Sequence, residues 1–177
     1  MKRGLLMLVA MLAALVLGSG VALAATIVGT NNADTRTGTA NRDLMYGLGG
    51  NDILRGLDGN DEIHGDAGSD QNLNGGPGND EVSGGSGGDV IAGGASTTSG
   101  QNELYGGSGA DTIVADVPGA YDEVYGGSGN DLIFVADGLY DYVDCGHYAS
   151  PNSSASDSDT IYADAGDEVV ECENTNP

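Results

Sequence analysis

Aspartate recurs along this chain at a spacing that sets oxygen donors in rows. Asp34, Asp43, Asp52, Asp61 and Asp70 stand nine residues apart. Asp80, Asp89, Asp111, Asp122, Asp131, Asp141, Asp159 and Asp167 continue the series at wider intervals, with Asn102 in one of its places. A carboxylate is a hard anionic donor, and carboxylates stacked one strand width apart repel each other unless hard cations stand among them. Acids outside the series, such as Asp58, Asp66, Asp116 and Glu173, read as solvated surface. Catalytic chemistry has less support. Gly84-Gly85-Ser86-Gly87-Gly88 matches G-x-S-x-G, but a nucleophile elbow needs a strand before it and a helix after it. The only histidines, His64 and His147, complete no Ser–His–acid set, and there is no H-E-x-x-H sequence and no phosphate loop. Adjacent acids such as Asp61 and Glu62 would face opposite sides of a strand. The chain is therefore expected not to be an enzyme.

A glycine turn positions each aspartate. Gly75-Gly76-Pro77-Gly78-Asn79-Asp80-Glu81-Val82-Ser83 runs directly into Gly84-Gly85-Ser86-Gly87-Gly88-Asp89-Val90-Ile91-Ala92, and further full copies start at Gly106 and Gly126. The pattern is G-G-x-G-x-D-x-U-x, where U is a large apolar residue. With the looser copies, 14 turns run from Gly29 to about Glu171. The glycines permit positive φ and a tight bend with carbonyls turned inward. The last three residues of each copy form a very short strand with one side chain inward and its neighbours outward. Met45, Leu54, Ile63, Val82, Ile91, Leu104, Ile113, Val124, Ile133, Val143 and Ile161 fill the inward slot. One apolar residue per nine makes a thin stacked ladder rather than a globular core.

This repeat resembles the RTX (repeats-in-toxin) family, the hemolysin-type calcium-binding repeats. The resemblance implies an all-β fold, a parallel β-roll (β-solenoid), here over residues 25–171 and irregular from 93 onward. In such a roll two nonapeptides complete a coil and Ca²⁺ lies between successive turns on the same side. One stacked row is then Asp34, Asp52, Asp70, Asp89, Asp111, Asp131 and Asp159; the other is Asp43, Asp61, Asp80, Asn102, Asp122, Asp141 and Asp167. The first row keeps its turn glycines from Asp52 to Asp131, whereas the second decays after Asp80. Metal ligands are accordingly expected at Asp52, Asp70, Asp89, Asp111 and Asp131 on one edge and at Asp43, Asp61 and Asp80 on the other, for about six ions. Few apolar contacts and abundant glycine imply folding coupled to calcium. Relatives carry such repeats beside proteases, lipases or pore-forming toxins, but here the repeats fill nearly all of the chain. The expected role is an extracellular Ca²⁺-dependent structural or interaction module. The alternatives are a fragment or relative of a secreted RTX hydrolase or toxin, or a β-solenoid adhesin. An ice binder would want a regular T-x-T ladder, which this chain lacks.

The composition agrees with a cation-conditioned fold. The 177 residues include 32 Gly and 27 acids against 5 bases, for a formal net charge of −22. Residues 1–24 read as a cleavable secretory signal, with Lys2 and Arg3, an apolar run from Leu5 to Leu17, and Ala22-Leu23-Ala24 at the end. That run is shorter than the ~20 residues a membrane span needs. Without the signal only Arg36, Arg42 and Arg55 are basic and the charge is −24. Nucleic acid and anionic membrane surfaces are unsuitable partners, since phosphate contacts need Lys and Arg. No protein or glycan partner is legible. A secreted chain whose only cysteines are Cys145 and Cys172 reads most simply as having one disulfide, stapling a C-terminal cap over 145–177; a thiol pair on a metal near His147 is the alternative. Residues 157–173 resemble the terminal cap of some secreted RTX-like bacterial proteins. Tyr121, Tyr125, Tyr140, Tyr142, Tyr148 and Tyr162 crowd this half, and are expected to thicken its core or to form a carbohydrate-binding strip. Arg36 stands in an apolar slot and is expected to be a polar cap at the start.

Overall fold

The structure is a computed structural model that describes residues 24–94, 100–115, 121–146, 158–172 and 174–176. Residues 1–23 of the expected signal, Asp116, His147, Tyr148 and Glu173 lie outside the described residues.

Glycine interrupts extended backbone every few residues, so every strand is short. In chain order they are β1 Thr26–Thr30, β2 Thr35–Thr37, β3 Leu44–Leu48, β4 Ile53–Arg55, β5 Glu62–Ala67, β6 Asn72–Asn74, β7 Glu81–Ser86 and β8 Val90–Ala92. They continue as β9 Glu103–Ser108, β10 Thr112–Val114, β11 Glu123–Ser128, β12 Leu132–Phe134, β13 Tyr142–Asp144, β14 Thr160–Tyr162, β15 Glu168–Val170 and β16 Asn174–Asn176. The odd-numbered strands form one eight-stranded sheet and the even-numbered strands another, each strand paired with those two places before and after it. All pairings are parallel, for instance Val82↔Leu104 and Leu104↔Val124. The fold is thus all-β, a parallel β-roll, with no helix among the described residues. Eight rungs at ~4.8 Å make it about 34 Å long.

The centre of each short strand points inward. Met45, Ile63, Val82, Leu104, Val124 and Val143 from one sheet meet Leu54, Leu73, Ile91, Ile113, Ile133 and Ile161 from the other, all with no exposed surface. Leu73 is absent from the apolar slots counted from the aspartates. Asp70 and Asp80 are ten residues apart, and the additional residue, Gln71, places Leu73 one position later than the repeat predicts. The pairing absorbs it: Gln71 N–H takes the Asp52 carbonyl at 3.0 Å, and Leu73 still sits opposite Leu54 and Ile91.

A second set of inward side chains appears where turns have lost their first glycine. Ala115, Val135 and Cys145 stand at that position and join the core, with Ala163 packed against it. Cys145 is bonded to Cys172, with Cα atoms 5.1 Å apart. The described tyrosines do not thicken the core. Tyr46, Tyr105, Tyr125, Tyr142 and Tyr162 flank the inward residues of their strands and so lie on the outer faces, where Tyr105–Tyr125 and Phe134–Tyr162 stack at a centroid distance of 5.0 Å; Tyr121 and Tyr140, in the turns before β11 and β13, stack at 5.7 Å. His64 is likewise outward, stacked on Tyr46 and 3.1 Å from Glu62. At the start, Arg36 holds the slot in register with Leu54 and pairs with Asp34 at 2.8 Å.

Candidate metal centre

The position-six residues form two ladders along the edges of the roll. On the first edge each turn leads from the odd-numbered to the even-numbered sheet. There the backbone N–H groups of Asp34, Asp52, Asp70, Asp89 and Asp111 donate to Oδ1 of the aspartate one coil later, at 2.7, 2.7, 2.8, 2.8 and 2.9 Å. On the second edge Asp43, Asp61, Asp80, Asn102 and Asp122 do the same toward Asp61, Asp80, Asn102, Asp122 and Asp141. Both predicted rows are present as stacks. Asp43, Asp52, Asp61, Asp70, Asp80, Asp89, Asp111 and Asp131 are each at most 2% exposed.

One oxygen of each carboxylate is thereby used, and the other is left over. Oδ2 of Asp52, Asp61, Asp70, Asp80, Asp89, Asp111 and Asp141 is buried with no hydrogen-bond partner. A buried, unmatched carboxylate oxygen is costly. Burial pushes Asp61, Asp70, Asp111 and Asp122 up to about 6, and Asp80 and Asp141 up to about 7, against the N–H bonds that favour their ionised forms. Apart from Asp141, whose turn opens on Val135, the leftover oxygens lie against the first glycine of their own turns. A Cβ on Gly84 would lie 2.5 Å from Asp89 Oδ2 and 2.6 Å from the Gly106 carbonyl oxygen. Gly47 and Gly65 likewise crowd Asp52 and Asp70 together with the carbonyls of Gly65 and Gly84. Carboxylate and carbonyl oxygens thus converge where no side chain fits, which suits a hard cation. Among the described residues no three His, Cys, Asp or Glu side chains gather at one point. A cation held here would therefore take much of its coordination from the backbone.

The turns differ between the edges. On the first edge the fourth-position N–H groups of Gly50, Gly68, Gly87 and Gly109 bond the third-position carbonyls of Ala67, Ser86, Ser108 and Ser128 in the next coil, at 2.7–2.9 Å. These glycines have φ between 109° and 143°, a region that side chains disfavour. On the second edge one equivalent bond, from Gly59 to Pro77 at 3.0 Å, is present among the described residues. The second position is also left-handed. Gly76, Gly85, Gly107 and Gly127 adopt φ of 100–105°, and where glycine is missing Leu48, Leu57 and Asp66 are forced to 73°, 80° and 71°.

The first turns replace the leftover valence with threonine. The Thr30 N–H and hydroxyl bond Asp34 Oδ2 at 2.6 and 2.8 Å. Thr39 donates its N–H to Asp43 Oδ2 at 2.5 Å and its hydroxyl to Asp43 Oδ1 at 3.1 Å. The signal for this was legible: Thr stands in both turns where the repeat expects its second glycine. Ser86, the apparent nucleophile, ends β7 in such a turn and is followed by β8 rather than a helix.

A family model described as the RTX calcium-binding nonapeptide repeat, four copies, matches residues 37–71, 72–97, 95–117, 120–138 and 155–171, more than half of the chain. The chain belongs to this family. No curated protein and no solved structure matches it. As an RTX protein it carries repeats of a calcium-binding type, and its glycine turns are where the leftover carboxylate oxygens collect. The matched segments also take in the irregular turns after Gly93. No helix among the described residues is long and apolar enough to cross a membrane.

Proposed function

We propose that the protein is an extracellular calcium-binding module whose roll assembles when the metal binds. The orphaned Oδ2 atoms carry this reading: seven buried carboxylates, each with one oxygen matched by backbone and the other unmatched, ask for positive charge in place. Calcium supplies that charge and accepts the six to eight oxygens that such turns can offer. The ligands are Asp52, Asp70, Asp89, Asp111 and Asp131 along the first edge, in the pairs 52/70, 70/89, 89/111 and 111/131. On the second edge they are Asp43, Asp61 and Asp80, in the pairs 43/61 and 61/80. Thr39 already occupies Asp43, so 43/61 is the weakest pair. About six ions follow. A secretory signal at 1–24 and a disulfide both suit an oxidising, calcium-rich exterior.

The role of the metal is structural: it converts self-repelling rows into cross-links between coils. An interaction role would use the outer faces. For a carbohydrate strip, the stacked tyrosines cover each other's ring faces rather than presenting them. Circular dichroism in millimolar calcium and in excess chelator tests the proposal. The strand signal should rise with calcium and fall by much of its amplitude without it. A strand signal indifferent to chelation would overturn calcium-dependent assembly.

A further inference from the structure

The interior changes along the roll, and the change falls at the first position of each turn. From Gly47 to Gly106 that position is glycine in every described turn, with a carboxylate oxygen facing it on the turns of Asp52 to Asp89. Beyond Gly106 it becomes Ala115, Gly126, Val135, Cys145 and Ala163. Ala115, Val135 and Cys145 are buried in the core cluster, and Ala163, Val169 and Cys172 pack against it. The turns opened by Ala115, Val135 and Cys145 therefore bury a second apolar residue that glycine-opened turns lack, while the ladder residues Asp122, Asp131 and Asp141 stay buried beside them. The Cys145–Cys172 bond joins the turn after β13 to the segment after β15, its neighbour in the sheet, at the position where Gly126 stands one rung earlier. Outside, Tyr105, Tyr125 and Tyr142 run as a continuous aromatic column, and Tyr105 and Tyr125 also hydrogen-bond glutamates in their own strands. In the strands before β9 the aromatic contact is Tyr46 with His64.

We infer that the roll has two zones with different cross-links: coils from about Leu44 to Ala92 held by cations alone, and coils from Glu123 onward, which the 111/131 pair reaches only at their near end, held mainly by apolar packing and a disulfide that takes the place of further cations. The inference rests on the calcium reading for its first zone. Asp141 keeps an unmatched oxygen in the second zone, but Val135 rather than glycine opens its turn. Stripped of calcium, the molecule should fray from its N-terminal side and keep a folded C-terminal stub as a template for reassembly. Reduction of the disulfide should make that stub depend on the metal too.

Hydrogen exchange read by mass spectrometry on the full oxidised chain tests this, in calcium and in excess chelator. Chelation should speed exchange of 44–92 by roughly a hundredfold or more, and of 123–145 and 158–172 by less than about tenfold. Equal loss in both zones, or earlier loss at the C-terminal end, would overturn the inference. Exchange unaffected by chelation everywhere would instead remove the calcium reading beneath it. Cys145→Ser with Cys172→Ser should leave exchange in calcium near that of the parent but open 123–145 and 158–172 in chelator; unchanged protection there would overturn the staple's role. Val135→Gly, with the disulfide intact, should open 123–145 in chelator by an intermediate amount, and no change would count against packing as the second cross-link.

Discussion

The two edges of the roll carry the same ladder on different turns. Along both, a position-six oxygen accepts the backbone N–H of its counterpart one coil earlier, and this holds at Asn102 as well as at aspartate. Along the first edge the turns from Gly47 to Asp131 also stack glycine on glycine, rung after rung. Along the second edge the turns lengthen and lose their glycines after Asp80, yet the ladder continues through Asp122 and Asp141. The comparison separates two jobs that the repeat merges. The ladder is a backbone device that needs an oxygen but no charge. The cradle is a cation device that needs glycine and charge together.

Glycine at position four should show the largest difference. Gly87 has φ 135°, and a Cβ on it would strike the Gly68 carbonyl oxygen. Gly87→Ala should destabilise the calcium-loaded roll by roughly 3 kcal/mol or more in denaturant unfolding. Gly138, on the second edge, has φ 90° and nothing within 4 Å of the corresponding point, so Gly138→Ala should cost only the conformational strain, about 1–2 kcal/mol. Equal effects would erase the distinction between the edges.

Charge comes next. Asp89→Asn keeps the ladder acceptor, as Asn102 does, and removes only the charge. It should weaken both sites that share Asp89, 70/89 and 89/111, abolish one to two bound ions, and lower stability by about 3 kcal/mol for each ion lost when calcium stands at a hundred times its Kd. Asp122→Asn should leave the stoichiometry unchanged. Loss of an ion from the second variant, counted by equilibrium dialysis, would place a cation site on the irregular edge.

Acidity should act on the metal-free chain in a definite direction. Burial raises the folded-state pKa of Asp61, Asp70 and Asp111 to about 6 and of Asp80 and Asp141 to about 7. A raised carboxyl pKa means that the folded state holds protons the unfolded state has released. Its favourable contribution is fully present below about pH 4 and is lost as pH rises through 6 to 7. Without calcium the roll should therefore be more stable near pH 4 than at pH 8, and calcium affinity should weaken on acidification as protons compete. Thermal unfolding across this range checks the sign. The smallest effect belongs to Leu57, exposed at 44% with φ 80°. Leu57→Gly should stabilise the roll by about 0.5–1 kcal/mol in the same assay.

Much of this was legible in the residues. The spacing of the aspartates dictates which turns stack, and the strand triplets dictate which side chain enters the core. Leu73 escapes a count made from Asp70 because Gln71 lies between, although counting from the apolar residues recovers it. Ala115, Val135 and Cys145 read as defects in a glycine pattern; that the first position faces inward, so that a side chain there becomes core, is a property of the folded turn. The tyrosines were open to a simple test, since Tyr105, Tyr125 and Tyr142 each adjoin an inward Leu or Val and must point outward. The bond from one aspartate's N–H to the next aspartate's Oδ1 joins residues 18 to 28 apart and has no local signature.

Calorimetric titration of the metal-free chain with calcium tests the central claim most directly. Binding of about six ions, with roll formation over the same range of added metal, is the predicted result. A titration with no binding heat, or binding that leaves the chain's structure unchanged, would contradict it.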